Sequence, residues 1–403
     1  MEEIARTVGT PFYLYSQRTL LRHYNVFEEA FREIEHLVCF SMKVNSNLTL
    51  CKILSREGCG ADIVSRGELF KALKAGIPPE KIVFAGVGKT SPEIEYALKN
   101  DILMFNVESI AELESINKLA GNLEKKARIA LRINPDIDPQ THPHISTGLR
   151  ESKFGIEFSK SRQVYRLARK LDNIDVAGVH FHIGSQITQV SPFVEALEKI
   201  VSLVKDLEKE GIKLEYIDVG GGLGIRYCDE EPPSPGDYAR AIIPLVKKTG
   251  CKLILEPGRA IMGNAGILVT KVLYLKESGQ KKFIIVDAGM NDIIRPSLYG
   301  AYHTIVPLKK ISTSKTTPSS TVDIVGPICE STDFFAKDRE FPPVQPEDLL
   351  AILTAGAYGF TLSSNYNARL RVPEVLVKDD KHHIIRKRET YQDLIAPEEV
   401  SDV

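Results

Sequence analysis

Short apolar runs alternate with helix-like segments along the first two thirds of the chain. Eight runs rich in β-branched or aromatic residues have the length of strands, and they lie at 37–43, 59–65, 82–86, 102–109, 128–134, 176–184, 216–222 and 252–259. Several of the intervening segments open at a Ser and stop at a Gly, which are the residue types that cap the two ends of a helix. The pattern therefore predicts eight consecutive strand–helix units.

Eight such units predict an α/β fold with a TIM-like (β/α)8 barrel, and a doubly wound open sheet is the alternative. The barrel is favoured because chemically distinctive residues fall at the carboxyl ends of the predicted strands. They are Lys43, Asp62, Asn106, Asn134, His182, Gly220 to Gly222 and Glu256. In a barrel these strand ends share one face, and that face carries the active site.

The pattern of predicted secondary structure changes near residue 268. Strand-like runs separated by Gly, Pro and charged turns follow, long helical patterns are absent, and the opening segment PFYLYSQRTL is also strand-like. We expect a barrel domain over 25–267. A mostly β domain of barrel or sandwich type is expected over 1–24 and 268–403.

Composition narrows the classes of partner. Lys plus Arg total 52 and Asp plus Glu total 53, which leaves no electrostatic footprint for nucleic acid or an anionic membrane surface. The first residues, MEEIA, lack the apolar core of a signal peptide, and no apolar run is long enough to span a bilayer. The six cysteines form no CxxC pair, which is typical of a reduced cytoplasmic protein.

Three strand ends suggest chemistry. A Lys at a barrel mouth, here Lys43, becomes a nucleophile when its ammonium is desolvated, although a strand-end Lys is more often a solvated surface residue. Gly220-Gly221-Gly222 lets backbone N–H groups approach an anion closely, and the alternative is a flexible tight turn. Glu256, in EPGR, would keep a heterocyclic nitrogen protonated, and the alternative is an ion pair with Arg259.

The segment HFHIGS places His180 and His182 on one side of a strand. Two such histidines could ligate a metal, but no carboxylate or Cys partner completes a set by spacing, so no metal is predicted. A ring stacked on a flat cofactor is the better use for one of them. His142 and His144, on either side of Pro143, are interpreted as loop residues.

Together these motifs resemble the pyridoxal 5′-phosphate (PLP) decarboxylases that combine an alanine-racemase-like barrel with a β domain, and most closely the diaminopimelate decarboxylases. The resemblance covers nearly the whole chain. It rests on FSMKVNSN, ADIVSRGEL, HFHIGSQ, DVGGGLG, EPGRAI, DAGMNDIIRPSLYGAYH, GPICESTD and GAYGF.

The resemblance implies PLP as the cofactor, bound covalently by Lys43, with His182 stacked on its ring and Glu256 at its pyridine nitrogen. It implies further cofactor contacts from Asp62, Ser185, Gly220, Gly221, Gly222, Pro257, Gly258, Arg259 and Tyr358. It also implies that Arg259, Arg295, Tyr299, Glu330 and Tyr358 bind the substrate, with Cys329 as proton donor. In relatives Cys329 and Glu330 come from the partner subunit, so a homodimer with shared active sites is expected.

The implied reaction is decarboxylation of meso-2,6-diaminopimelate to L-lysine and CO2, the last step of lysine biosynthesis. Decarboxylases of ornithine, arginine or carboxynorspermidine share the Lys, GGG and EPGR elements, but a second substrate carboxylate calls for the extra Arg and Tyr of DIIRPSLYGAYH. An alanine racemase would place Arg where Glu256 stands. A non-catalytic binding protein of the same descent could lose Lys43, Glu256 or Cys329, yet all three are present. CESTD departs from the commoner CESGD at Thr332, and little effect on the chemistry is expected.

Overall fold

The computed structural model describes residues 1–138, 153–309 and 319–401. His142 and His144 lie outside the described residues. The chain divides into two compact units. One, the barrel unit, comprises 21–226 and 230–261, and the other, the sheet unit, comprises 1–20, 227–229 and 262–403.

The barrel unit is a closed ring of eight parallel strands. The first strand pairs with the second and the eighth, and the pairing of the fourth with the fifth closes the ring. The strands are, in order, His36–Ser41, Gly60–Ile63, Ile82–Phe84, Met104–Val107, Ala127–Asn134, Ile174–His180, Tyr216–Asp218 and Lys252–Leu255. The predicted barrel is confirmed, and the closing pair rules out an open sheet.

Helices follow the strands as the capping residues indicate. The side chains of Asn47, Ser65, Ser109 and Ser234 each accept a hydrogen bond from a backbone N–H in the first turn of the next helix. The helices of the unit are Leu48–Arg56, Arg66–Lys74, Ser91–Lys99, Ile110–Asn122, Ser161–Ala168, Ser191–Lys209 and Pro235–Val246. Gln17–Phe31 and Arg259–Met262 are helices that cross a boundary between the units along the chain. Short 3-10 turns lie at Met42–Val44, Pro79–Lys81 and Phe158–Lys160, and the two-residue strand Ile156–Glu157 extends the end of the fifth strand.

Side chains alternate along each strand, so the barrel interior is built in layers. One buried cluster contains Cys39, Val83, Met104, Ala130 and Ile254, one residue from each of five strands. In four of these five strands the residue two positions further along is polar. Cys39 is followed by Ser41, Met104 by Asn106, Ala130 by Arg132 and Ile254 by Glu256. The barrel is therefore apolar below and polar at its carboxyl end.

The sheet unit contains a nine-stranded, mostly antiparallel sheet. Phe12–Ser16 lies in it between Gly266–Ser278 and Glu374–Lys378, as the strand-like pattern of the opening segment predicts. The strands are Phe12–Ser16, Gly266–Ser278, Lys281–Val286, Ile305–Pro307, Ser320–Val325, Phe334–Phe341, Leu349–Ile352, Glu374–Lys378 and Lys381–Arg386. The helices are Glu2–Val8, Arg295–Tyr299 and Tyr391–Ile395, with 3-10 turns at Gly263–Ala265, Phe360–Leu362 and Tyr366–Ala368. No helix among the described residues is apolar over a length that would cross a bilayer.

Candidate active site

Lys43 stands just past the first barrel strand, in the turn Met42–Val44, and not in the strand itself. Its Nζ lies 3.2 Å from Oδ2 of Asp62, on the neighbouring second strand. The Lys43 side chain is 37% exposed, whereas that of Asp62 is fully buried. Ser41 donates a hydrogen bond to the same Asp62 oxygen. The carboxylate thus holds the amine at the barrel mouth while leaving it open to a reactant.

Glu256 lies at the end of the eighth strand and is held from two sides. Asn106, on the fourth strand, donates from Nδ2 to Oε1 of Glu256 at 3.2 Å and to Oδ2 of Asp218 at 3.1 Å. Nε2 of His180 lies 3.4 Å from Oε2 of Glu256. Asp218 itself accepts the N–H of Gly220 at 2.9 Å. Four strands therefore converge on one buried polar cluster, which consists of Asn106, His180, Asp218 and Glu256.

The pKa values of the two carboxyl groups of this cluster shift in opposite directions. Burial, followed by the charge of Glu256, raises the pKa of Asp218 well above its usual range. Burial also opposes ionisation of Glu256, but the interactions with His180 and then Lys43 outweigh it and lower the pKa of Glu256 to about 2. Of the two carboxyl groups, Glu256 is therefore the one that ionises more readily, so the negative charge of the cluster is favoured on Glu256.

The same cluster brings together three residue types that can ligate a metal ion. Ligand atoms of His180, Asp218 and Glu256 lie within 4.8 Å of one another. The sequence showed no carboxylate that completes a set with the histidines, because the partners come from two other strands. The amide nitrogen of Asn106, however, donates to both carboxyl groups, so the space between them is used for hydrogen bonds.

His182 follows the sixth strand and faces the glycine loop after the seventh. Its Nδ1 accepts the N–H of Gly221 at 3.3 Å, so the ring proton belongs on Nε2. Loss of water around the ring, followed by the charges of Lys43 and Arg132, lowers the pKa of His182 well below its usual range. The ring is thus neutral and flat, with one nitrogen fixed by the loop.

The glycine loop is packed too closely for side chains. A Cβ on Gly221 would lie 2.3 Å from the carbonyl oxygen of Glu256, and one on Gly222 would lie 2.5 Å from that of Gly184. Gly220 and Gly222 also have left-handed φ angles of 65° and 112°, which favour glycine. The glycines therefore let the backbone itself line the site.

Ser185 and the EPGR segment, residues 256–259, form another part of the barrel mouth. Nη2 of Arg259 donates to Oγ of Ser185 at 3.1 Å, and Arg259 is only 8% exposed. Gly258 packs against Val44, since a Cβ there would lie 2.6 Å from Cγ1 of that residue. Pro257 contributes its carbonyl, which accepts the N–H of Ser41 at 3.3 Å. The structure thus brings Ser185 and Arg259 together, and Arg259 does not pair with Glu256 in any ion pair among the described residues.

In the sheet unit, Arg295 begins the short helix that ends at Tyr299. Arg295 is 6% exposed, its guanidinium lies 4.7 Å from the ring centroid of Tyr227, and its Nη1 is 2.9 Å from Nε2 of His303. His303 donates from Nδ1 to the carbonyl of Leu353 at 2.8 Å, so Nε2 is the acceptor for Arg295. These neighbours fix the direction of the guanidinium, whereas Tyr299 is only half-buried.

Cys329 and Glu330 are both exposed on the sheet unit. The N–H of Cys329 donates to Oδ1 of Asn367 at 2.8 Å, and the hydroxyl of Tyr366 is 3.5 Å from Oε2 of Glu330. In the following turn Asp333 accepts the N–H groups of Met290 and Ile328, both at 2.6 Å.

Two further residues of this unit were singled out by sequence. Oγ1 of Thr332 contacts the sulfur of Met290 at 3.8 Å. Tyr358 is half-buried and has a left-handed φ of 58°, a conformation that is strained for a Tyr.

Comparison with known proteins agrees with this geometry. Residues 17–263 match the family model of the pyridoxal-dependent decarboxylases, pyridoxal binding domain. The chain is 52% identical to the diaminopimelate decarboxylase of Aquifex aeolicus, over 98% of this chain and 93% of that protein. Crystal structures of diaminopimelate decarboxylase complexed with L-lysine are also similar. The one from Helicobacter pylori has a TM-score of 0.95 at 45% identity, over 98% of both chains, and the one from M. jannaschii has 0.94 at 42% identity, over 99% and 94%.

The chain therefore belongs to the pyridoxal-dependent decarboxylases, and within that class to the diaminopimelate decarboxylase family. It is an enzyme of the PLP-dependent carboxy-lyase type, and PLP is its cofactor.

The barrel unit fits that cofactor. It offers a partly exposed lysine amine, a flat neutral imidazole, an anionic buried carboxylate and a glycine-lined stretch of backbone. The buried oxygens Asp62 Oδ1 and Asn106 Oδ1 have no hydrogen-bond partner among the described residues. They can therefore still accept hydrogen bonds at the site. Each of these features matches one part of PLP: the aldehyde, the ring, the pyridine nitrogen and the phosphate.

Several supporting residues were not foreseen from sequence. Asp218 was overlooked, although it lies two residues before Gly220 at a strand end, which is the signal used for the others. Asn106 stands at a strand end without a role that the sequence assigns. Ser41 and His303 lie within the motifs FSMKVNSN and DIIRPSLYGAYH, likewise without an assigned role, and Tyr227 carries no sequence signal. Their importance depends on partners that come from distant parts of the chain.

Proposed function

We propose that this protein decarboxylates meso-2,6-diaminopimelate to L-lysine and CO2, as the last step of lysine biosynthesis. The observation that carries the proposal is the convergence of Lys43, His182 and Glu256 at one barrel mouth. It occurs in a chain 52% identical over 98% of its length to a diaminopimelate decarboxylase. Solved relatives at 45% and 42% identity are complexed with L-lysine, the product of this reaction.

The barrel unit holds the cofactor. Lys43 is its covalent attachment point, and Asp62 orients that amine. The neutral ring of His182 stacks on the cofactor, and the Glu256 carboxylate pairs with the pyridine nitrogen. The glycines Gly220, Gly221 and Gly222 bind the phosphate together with Ser185 and with the backbone of Pro257, Gly258 and Arg259. When bound, PLP supplies an electron-withdrawing ring that accepts the electron pair left behind as CO2 departs.

The sheet unit supplies substrate recognition and an acid. The residues proposed to bind the carboxylate at the non-reacting end of the substrate are Arg259, Arg295 and Tyr299, because guanidinium groups match a carboxylate in a fork. Glu330 binds the distal ammonium group, and Tyr358 contributes to both cofactor and substrate binding. Cys329 donates its Sγ proton to the carbon from which CO2 has left, and Lys43 then releases the product.

The active form is a homodimer with shared active sites. Cys329 and Glu330 are exposed on the single chain, although an acid that protonates a carbanion works best where water is excluded. A partner subunit that receives Cys329 in its own site would provide that exclusion. The enzyme acts in the cytoplasm, which agrees with the six cysteines, none of which forms a disulfide bond within the described residues.

The direct test is to incubate the PLP-loaded protein with meso-diaminopimelate, ornithine and arginine in parallel, and to measure CO2 release and the product amine. We expect lysine from diaminopimelate and no product from the other two. Turnover of ornithine or arginine instead would contradict the roles of Arg259, Arg295 and Tyr299. A protein that stays colourless when PLP is added and that is inactive on all three compounds would indicate a binding protein. A Lys43→Ala variant serves as the inactive control.

A further inference from the structure

Asn106 lies among the polar residues at the carboxyl end of the barrel and connects two other strands through its side chain. It is fully buried, and its amide nitrogen reaches carboxyl groups from two other strands, Oδ2 of Asp218 at 3.1 Å and Oε1 of Glu256 at 3.2 Å. An amide nitrogen carries two N–H groups, so it can donate one to each acceptor. Both donors of Asn106 are therefore used inside this cluster.

The backbone of Asn106 is clamped as well. Nζ of Lys89 lies 2.8 Å from the carbonyl oxygen of Asn106 and 2.9 Å from that of Gly86, and it pairs with Glu112 at 2.7 Å. The Lys89 side chain is only 1% exposed. The end of the fourth strand is thus fixed by a buried ion pair, so the backbone position from which the Asn106 side chain extends is also fixed.

Glu256 is surrounded by groups that could set its orientation and charge. His180 lies on the side opposite Asn106, at 3.4 Å from Oε2. The charge of Lys43, at the end of the first strand, lowers the pKa of Glu256. The negative charge of Glu256 in turn raises the pKa of the buried carboxyl groups of Asp62 and Asp218. Among these neighbours, only Asn106 donates to Glu256 and Asp218 at once.

We propose that Asn106 is a positioning residue that holds the Glu256 carboxylate in place by donating its amide N–H groups to Glu256 and to Asp218. The inference rests on the proposed function, in which Glu256 faces the pyridine nitrogen of PLP. Without the amide donors the Glu256 carboxylate can rotate, and it takes up a proton more readily, because a hydrogen bond to the charged form favours that form. The nitrogen of the cofactor would then lose its fixed anionic partner.

The test uses Asn106→Asp, which keeps the shape of the side chain but replaces the N–H donors by an oxygen. We expect the affinity of the apoprotein for PLP, measured by absorbance titration, to fall about tenfold or more, as for loss of a hydrogen bond to a charged group. We also expect the pH below which PLP binding weakens to rise by about 1 to 2 units, because Glu256 takes up a proton more readily. Asn100→Asp is the matched control, since the Asn100 side chain donates only to the carbonyl of Tyr96 among the contacts described and lies outside the site.

A double-mutant cycle separates positioning from mere packing. Glu256→Gln and Asn106→Asp should weaken PLP binding by less together than the product of their separate effects, because the Asn106 donors act through Glu256. Should Asn106→Asp fold poorly, Asn106→Leu, of similar size and without donors, enters the same cycle. Independent effects, or an unmoved pH dependence, would overturn the inference.

The outcomes also distinguish this inference from the proposed function. If the wild-type protein forms lysine from diaminopimelate while Asn106→Asp binds PLP as the wild type does, only the positioning role fails. If the wild type forms no lysine but the coupling between Asn106 and Glu256 is observed, the substrate assignment fails and the positioning role stands.

Discussion

Nζ of Lys43 and Oδ2 of Asp62 lie 3.2 Å apart at the ends of neighbouring barrel strands, one side chain partly exposed and the other fully buried. The buried partner cannot move without breaking its contact with Ser41, so it fixes where the exposed amine can reach. Burial and the nearby Glu256 raise the pKa of Asp62, while Lys43 and Ser41 counteract them. The pair couples the reactive amine to the rigid interior of the barrel.

Replacing Asp62 by Asn should slow the reaction without abolishing cofactor binding. The amide keeps the shape and can still contact Ser41, but the charge-assisted bond to Lys43 is lost. We expect kcat to fall about tenfold or more, in line with the loss of one hydrogen bond between charged groups. Steady-state kinetics on diaminopimelate would measure this, with Ser41→Ala as a milder comparison, and an unchanged kcat would show that Lys43 needs no anionic partner.

Shared active sites can be tested by subunit mixing. Lys43→Ala and Cys329→Ala should each be inactive alone. If Cys329 serves the partner's site, a mixed dimer contains one site with both defects and one site with neither. Random exchange should then restore about a quarter of the wild-type activity. Activity that stays at background after exchange, verified by mass spectrometry of mixed dimers, would place Cys329 in its own subunit's site. A Cys329→Ala protein that is active alone would place Cys329 outside catalysis.

Arg295→Lys should impair substrate binding more than chemistry. Lysine keeps the positive charge but lacks the planar fork that matches a carboxylate, and it also loses the stacked position over Tyr227. We expect KM for diaminopimelate to rise about tenfold with kcat within a factor of a few, which is the signature of lost uniform binding. A fall in kcat at constant KM would instead assign Arg295 to the chemical step. Melting temperature should be compared, because Arg295 is buried.

His182 should make the apoprotein sensitive to acid. The pKa of its ring is well below the usual range in the folded protein, so only the unfolded chain takes up a proton as the pH falls through about 6.5. This contribution to stability is therefore present above that pH and is lost below it. His182→Phe, which keeps a flat ring that cannot titrate, should lose less melting temperature than the wild type between about pH 8 and about pH 5. An identical loss in both proteins would show that the His182 ring titrates normally in the folded state.

Removal of PLP should lower the melting temperature. A ligand that binds only the folded protein stabilises it by about 2.7 kcal/mol when its free concentration is 100 times its Kd. Thermal unfolding of apoprotein and reconstituted protein would measure the difference. Lys43→Ala should show a smaller gain on addition of PLP, because the covalent attachment is missing. An equal gain would mean that the non-covalent contacts of the glycine loop and Glu256 dominate binding.

The sequence by itself determined the barrel and most of the candidate site residues that the barrel carries. The runs of strand length that alternate with capped helical segments fixed eight strand–helix units, and the residues at the strand ends gave Lys43, Asp62, His182, the glycine loop and Glu256. This was possible because strand and helix periodicity are local properties, and because every strand of a parallel barrel ends on the same face. The early strand at Phe12–Ser16 was recognisable for the same local reason.

Only the tertiary structure decided which polar groups meet across the barrel and which of them are charged. Asn106 on the fourth strand bonds to Asp218 on the seventh and to Glu256 on the eighth, although these strands are not all neighbours in the ring. Likewise the structure separates His180, which lies beside Glu256, from His182, which binds the glycine loop. Alternation along a strand tells which residues face inward, but distances across the interior depend on how the ring closes. The protonation states depend in turn on those distances and on burial, so neither can be derived from the order of residues alone.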